Sequence, residues 1–65
     1  MTWEHYELYS IDEDGNEELI DTDGSVKKLR QLATLSLEED EGIIECIIYQ
    51  EDEEGELTEL ERISK

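Results

Sequence analysis

Hydrophobic and polar positions alternate along two stretches near the start of the chain. Residues 2–11 are rich in aromatic and β-favouring side chains and roughly alternate polar with apolar, which is typical of a β-strand. Residues 12–16 are turn formers, with Asp14-Gly15 a favoured hairpin pair. Residues 17–22 return as a second strand, so the pattern predicts a β-hairpin.

The middle of the chain changes to helical spacing. Its apolar residues recur at intervals of three or four positions, or lie side by side on one helical face, namely Val26, Leu29, Leu32 and Ala33. This spacing predicts an α-helix that begins at the first of them, with Ser25 or Asp23 as its N-cap. Its end is open: it lies near Thr34 if residues 36–39 act as the capping box of a separate turn, or at Gly42 if the helix continues.

The last third of the chain predicts a second hairpin. Residues 43–50 are apolar on both faces, which indicates a central strand covered by the helix or by a partner. Residues 51–55 form an acidic turn, and residues 56–63 form the last strand. A four-residue turn would pair Glu45 with Arg62 and Ile47 with Leu60.

A faint internal repeat relates the two hairpins. At an offset of 40 residues Tyr9 aligns with Tyr49, Gly15 with Gly55, and Ile20 with Leu60. We interpret this as similar geometry. A lone hairpin is only marginally stable, so both should join one antiparallel sheet with the helix packed on one face. The prediction is a single small α+β domain, ββαββ, over residues 1–65.

Charge changes this picture most. The 65 residues include 21 Asp or Glu and 5 Lys or Arg, a net charge of −16, and 35% are hydrophobic. Such a composition is also typical of disorder, but 16 Leu, Ile and Val residues in periodic segments favour folding. The charge excludes nucleic-acid binding through a basic surface and disfavours anionic lipid. With no apolar run long enough to span a membrane and no signal segment, we expect a soluble, cytoplasmic protein.

Candidate catalytic and metal-binding chemistry is sparse. His5 is the one histidine, and Cys46 is the one cysteine, placed within an apolar run that predicts a buried side chain. An EF-hand frame over residues 10–21 begins with Ser10 and has strand-like flanks. The four glycines stand singly and form no phosphate loop. We therefore predict no enzyme activity, no cofactor and no metal.

The remaining distinctive feature is charge density. A globule of this length has a diameter near ~28 Å, over which duplex DNA carries roughly 16 phosphates. The sequence therefore predicts a non-enzymatic acidic protein-binding module, a nucleic-acid-mimic inhibitor that occupies the basic DNA- or RNA-binding surface of a target protein. The predicted partner-binding residues are the hairpin acids Asp12, Glu13, Asp14, Glu17, Glu18, Asp52, Glu53, Glu54, Glu56, Glu59 and Glu61.

In overall charge and size the chain resembles the small acidic DNA-mimic inhibitors that phages use against restriction, repair or CRISPR proteins. The resemblance is compositional and transfers no residue. The alternative is a homo-oligomeric interaction or assembly protein, here a homodimer, with Trp3, Tyr6 and Tyr9 as an exposed aromatic patch and a second copy over residues 43–48. Acidity that only maintains solubility is a third interpretation.

Three of the five cations lie together at the start of the helix, namely Lys27, Lys28 and Arg30. The helix dipole disfavours cations there. We expect them either to neutralise Asp21, Asp23 and the neighbouring turns or to mark a separate partner surface.

Overall fold

The computed structural model describes residues 5–65, which form four strands and one helix. The elements are β1 (Tyr6–Asp12), β2 (Glu17–Asp23), α1 (Val26–Glu39), β3 (Ile43–Glu51) and β4 (Leu57–Ser64). The strands form one antiparallel sheet in the order β2-β1-β3-β4, with α1 packed across one face. The predicted ββαββ fold is confirmed. Trp3 and the start of the first predicted strand lie outside the described residues.

The core lies between α1 and the two central strands. The buried helix residues recur every four positions, so they form one apolar stripe. The cluster contains Leu29, Ala33 and Leu37 from α1, with Leu8, Cys46 and Ile48 from the sheet. Cys46 Sγ lies 3.9 Å from the carbonyl oxygen of Ala33, and burial raises the pKa of this thiol. The prediction that Cys46 is a buried small side chain is confirmed.

The ends of α1 are set by local hydrogen bonds. Ser25 is the N-cap, and its Oγ accepts from the backbone N–H of Lys28 at 3.4 Å. The helix continues through residues 36–39 to Asp40, so the longer of the two predicted ends is correct. With 14 residues, α1, the helix found in residues 5–65, falls short of the length and apolarity that a membrane crossing requires.

The two hairpin turns have the same geometry. In each turn the aspartate at its start accepts backbone N–H groups from the residues two and four positions later, all at 2.9 Å; these aspartates are Asp12 and Asp52. Each turn also contains a glycine with positive φ, 85° at Gly15 and 89° at Gly55. Non-glycine residues rarely adopt this conformation, so both glycines are required by the backbone.

The repeat extends to the whole sheet. Leu8 pairs with Ile48, its own equivalent at the offset of 40, at the centre of the β1–β3 ladder. The β1–β2 register skips Ile20, and the β3–β4 register skips Leu60, so each outer strand has a bulge at an equivalent position. An approximate two-fold axis through the Leu8–Ile48 pair therefore relates the hairpins, which confirms the prediction of similar geometry.

The bulge at Leu60 also corrects the predicted register of the second hairpin. Ile47 lies opposite Arg62, and Glu45 lies opposite Ser64, rather than Leu60 and Arg62. The turn between the strands spans five residues, and the bulge adds one more position on β4. Neither the fifth turn residue nor the bulge changes the hydrophobic pattern, so the sequence alone does not show them.

Candidate protein-binding surfaces

The hairpin turns place their acidic residues at opposite ends of the molecule. Because β1 and β3 are antiparallel, the turn after β1 lies beside the start of β3, and the turn after β3 lies beside the start of β1. The structure measures 39 × 21 × 15 Å. Four strands spaced about 4.8 Å apart account for the shorter dimensions, so the strands run along the long axis. We name the two ends the first-turn end and the second-turn end.

Most of the predicted partner-binding acids are available at these ends. Within residues 5–65, seven of the eleven are exposed and have no side-chain hydrogen bond or ion pair. These seven are Glu13, Asp14, Glu17 and Glu18 near the first turn and Glu53, Glu54 and Glu56 at the second. Their negative charge is not offset by an ion pair within residues 5–65, so it is available to a partner.

The other four predicted acids already have partners inside the chain. Asp12 and Asp52 hold the turns, as described above, and backbone N–H donation, led by that of residue 16, lowers the pKa of Asp12. Glu59 accepts from Arg62 Nε at 2.9 Å. Glu61 accepts from Arg30 Nε at 2.8 Å. These four carboxylates already bond to groups within the fold, so they are weaker candidates for partner contact.

The C-terminus of α1 adds acidic residues that the sequence pattern did not place. A groove of about 380 Å³ at the first-turn end is lined by acids from both the hairpin and the helix end, namely Asp12, Glu17, Glu18 and Asp40. Glu38, Glu39 and Glu41 are exposed beside it in the chain. The acidic run was visible in the sequence, but only the fold shows that it meets the first turn. Lys65 offsets part of this charge, because its Nζ donates to the backbone oxygens of Asp40 and Glu41 at 3.2 and 3.3 Å.

The basic cluster of α1 does not neutralise the acids that were expected to face it. Lys27 and Lys28 are exposed and form no ion pair within residues 5–65. Arg30 reaches across to Glu61 on β4 instead of to Asp21 or Asp23. The start of α1 follows the end of β2, so Lys27 and Lys28 lie toward the second-turn end, whereas Lys65 lies at the first-turn end.

The bulges decide which acids share a face of the sheet. We name the face opposite α1 the open face. Regular strand alternation predicts that Glu17, Asp21 and Asp23 share one face, and that Glu59 and Glu61 share one face. The bulges at Ile20 and Leu60 shift the alternation, so of these residues Asp21 and Asp23 still share a face, and the rest of the prediction is wrong. Glu17 and Glu59 lie on the open face, opposite Ile11 and Tyr49, whereas Asp21 and Glu61 lie on the helix side.

The centre of the open face is apolar. Ile47 is 0% exposed although no described element covers this face, and Tyr9 is its ladder partner on β1. The rings of Tyr9 and Tyr49 meet edge to face, with centroids 5.4 Å apart. The predicted patch is therefore wrong in part: Tyr6 packs against the core on the other face, and Trp3 lies outside the described residues.

Charged side chains surround this aromatic centre. Arg62 donates through Nη1 to Glu45 Oε1 at 2.5 Å, as well as to Glu59. Tyr9 donates its hydroxyl to Glu7 Oε1 at 2.8 Å. This bond raises the pKa of Tyr9, and burial raises that of Tyr49. The open face thus combines aromatic rings with several carboxylates.

One corner of the open face holds a mixed nitrogen and oxygen cluster. The ligand atoms of His5, Glu7 and Glu51 lie within 4.8 Å of one another, with His5 Nε2 at 3.2 Å from Glu51 Oε2. A hydrogen bond with Glu7 raises the pKa of Glu51. This donor set is compatible with zinc or manganese. The same contacts are also those of an ordinary ion-pair cluster, so the geometry does not require a metal.

The surfaces that combine charge with accessible area are therefore the two acidic ends and the open face. Comparison of the chain with protein-family models, with curated proteins and with solved structures gives no match.

Proposed function

We propose that this protein is a non-enzymatic acidic module that binds the basic nucleic-acid-binding surface of another protein. The observation that supports the proposal best is the exposure of seven hairpin carboxylates without internal partners in residues 5–65. A basic partner surface would supply the missing countercharges. Such contacts are numerous and individually weak, so their sum depends strongly on salt.

The elongated shape refines the comparison with a duplex. A sphere near ~28 Å was expected, but the longest dimension is 39 Å, so a net charge of −16 gives one charge per about 2.4 Å. Duplex DNA has about one per 1.7 Å. The linear density is therefore about two thirds that of a duplex, which supports competition with nucleic acid for a basic channel rather than a phosphate-by-phosphate copy.

The alternative function is self-assembly through the sheet. Leu19 and Leu57, which are 48% and 43% exposed, favour it because they extend the apolar area of the open face. Two open faces stacked on each other would bring together the carboxylates of Glu7, Glu17 and Glu45, which costs energy. Under the main proposal we expect a monomer in sedimentation; a salt-insensitive dimer would favour self-assembly.

A cytoplasmic location forms part of the proposal. Its support is the single cysteine, a buried free thiol, which is the usual state of cysteine in reducing compartments.

Affinity capture tests the main proposal. The immobilised chain is incubated with nuclease-treated lysate at low salt and eluted in salt steps. We expect nucleic-acid-binding proteins to be enriched, to elute as salt rises, and to be displaced by added duplex DNA or RNA. Captured proteins that neither duplex DNA nor RNA displaces would contradict the proposal.

Two charge variants test whether capture depends on the position of the carboxylates or only on the net charge. The first, E13Q/E18Q, removes two exposed carboxylates from the first-turn end and should weaken capture. The second adds K27Q/K28Q to it, which restores the net charge of −16 at the other end of the molecule without restoring the first-turn end. We expect capture to stay weak in the second variant. Full recovery would show that only total charge matters and would overturn a placed acidic surface.

A further inference from the structure

We propose that the open face binds arginine side chains of the partner, with Tyr9 and Tyr49 as the stacking surface and Glu17 as a charge partner. This inference rests on the proposed function for the basic character of the partner. Beyond the proposed function, it names the face of the sheet that contacts the partner and the type of side chain that this face binds.

The aromatic and acidic groups are close enough to act on one ligand group. Tyr9 and Tyr49 are in ring contact, as given above. The pKa of Tyr9 is raised mainly by its hydrogen bond to Glu7 and that of Tyr49 mainly by burial, and the negative charge of Glu17 raises both further. Glu17 is exposed and has no ion pair within residues 5–65. A guanidinium is planar, stacks on aromatic rings and donates hydrogen bonds to a carboxylate in its plane. These requirements match the groups that the face offers.

The face already holds one arginine of its own. Arg62 lies on the open face beside Ile47 and bonds to Glu45 and Glu59. These carboxylates raise the pKa of Arg62, led by its bond to Glu59. A guanidinium is therefore compatible with the spacing of rings and acids on this sheet.

The β1–β2 half of the open face has no cation equivalent to Arg62, and the positions equivalent to its acceptors Glu45 and Glu59 are His5 and Leu19. The position equivalent to Arg62, 40 residues earlier, is Thr22, which lies opposite Glu7 on the β1–β2 half of the face. That half carries Tyr9 and the exposed Glu17 but no arginine or lysine, and its other carboxylate, Glu7, is already bonded to Tyr9 and lies 3.9 Å from His5 Nε2. Charge complementarity therefore favours a cation supplied from outside at Glu17.

The same charges argue against the other occupants. A second copy would bring its own carboxylates onto those of this face, which is repulsive. A lysine ammonium is a compact, strongly hydrated charge that gains less from ring contact than a guanidinium does. The partner segment expected here is accordingly rich in arginine.

A pair of synthetic peptides tests the inference on the full chain. The probes are a peptide of nine arginines and its lysine counterpart, and binding is followed by amide chemical shifts in NMR at about 0.15 M salt. We expect the arginine peptide to bind severalfold more tightly and to shift the amides of Tyr9, Ile47 and Tyr49. Equal affinities, or shifts confined to residues 12–16 and 52–56, would overturn the inference.

Two substitutions of one tyrosine provide the matched control. Tyr49→Leu removes the ring and should weaken arginine-peptide binding about threefold, the value of one exposed cation–π contact. Tyr49→Phe keeps the ring and should bind as the parent does. Equal loss in both variants would overturn a role for the ring. If the arginine preference is absent while the capture of nucleic-acid-binding proteins persists, this inference fails and the proposed function stands.

Discussion

Asp12 is the side chain on which the first turn depends most. Its carboxylate accepts two backbone N–H groups and the side-chain amide of Asn16. Asp12→Ala leaves these donors to water, so we expect the melting temperature at pH 7 to fall by about 3–6 °C. Asp12→Asn keeps an accepting oxygen and should lose less. Thermal unfolding followed by circular dichroism measures both.

The effect of Asp12→Ala should depend on pH with a definite sign. Backbone hydrogen bonding lowers the pKa of Asp12 from its usual 3.8. A lowered pKa means that the stabilisation is present above 3.8 and is lost as the pH falls through the folded-state pKa. The parent and Asp12→Ala should therefore converge at low pH. Glu13→Ala, in the same turn but without hydrogen bonds, is the control and should not show this convergence.

Glu51 should show the opposite dependence. Its hydrogen bond with Glu7 raises its pKa from 4.5, whereas the charge of His5 acts the other way. A carboxyl group with a raised pKa favours the folded state when protonated, so that stabilisation is lost as the pH rises through its folded-state pKa. Glu51→Gln stays neutral and should raise the melting temperature at pH 8 but not at low pH.

The comparison for Glu51→Gln is Glu56→Gln. Glu56 is exposed and has no side-chain partner in residues 5–65, so its substitution removes charge alone. A larger gain for Glu51→Gln than for Glu56→Gln at pH 8 is the expected result. Equal gains would show that the Glu7–Glu51 contact carries no cost beyond general repulsion.

Among the larger elements, the two hairpins should respond alike to equivalent changes. Gly15 and Gly55 have nearly the same positive φ, and an added Cβ would meet no atom closer than 4.0 Å at either position. The cost of Gly→Ala therefore comes from the backbone alone and should be about 1–2 kcal/mol in each turn. Chemical denaturation of both variants measures it. At Gly42 φ is not positive, so Gly42→Ala has no such backbone cost, but its Cβ would lie 3.2 Å from Asp40 Oδ1 and that side chain would have to shift. Unequal costs at Gly15 and Gly55 would contradict the equivalence of the turns.

The sequence predicted some features of these elements and missed others, for physical reasons. Apolar periodicity fixed the strands and helix, and the Ser25 cap fixed the start of α1. The bulges at Ile20 and Leu60 were not predictable, because each is an apolar residue within an apolar pattern. They determine the face of every later residue on their strands. The hairpin acids were therefore located correctly at the turns but not on the strands.

The contacts on the open face were also not predictable from the sequence alone. Tyr9 and Tyr49 were visible as repeated residues, but their contact depends on the β1–β3 pairing, which joins strands separated by a helix. The sequence places Tyr9 near Tyr6 in the chain, which suggested a shared patch. Residues at an odd spacing lie on opposite faces of a regular strand, and this alternation is the signal that separates them.

The entire charge distribution sets the conditions under which the fold is stable. A net charge of −16 on a body 39 Å long forces many carboxylates within interaction range of one another. Of the described cations, Arg30 and Arg62 already have carboxylate partners. The screening length falls from about 30 Å at 0.01 M salt to about 3 Å at 1 M, so added salt removes most of the remaining repulsion.

We therefore expect the melting temperature to rise by several degrees between about 0.01 M and 1 M sodium chloride. The triple variant E13Q/E53Q/E54Q removes three exposed carboxylates without a hydrogen-bond partner, so it should melt higher than the parent at low salt and rise less steeply. At high salt the two curves should meet, because screening has then replaced the lost charges. Parallel curves would instead mean that general salt effects on apolar burial, not repulsion between the acidic ends, control the stability of this fold.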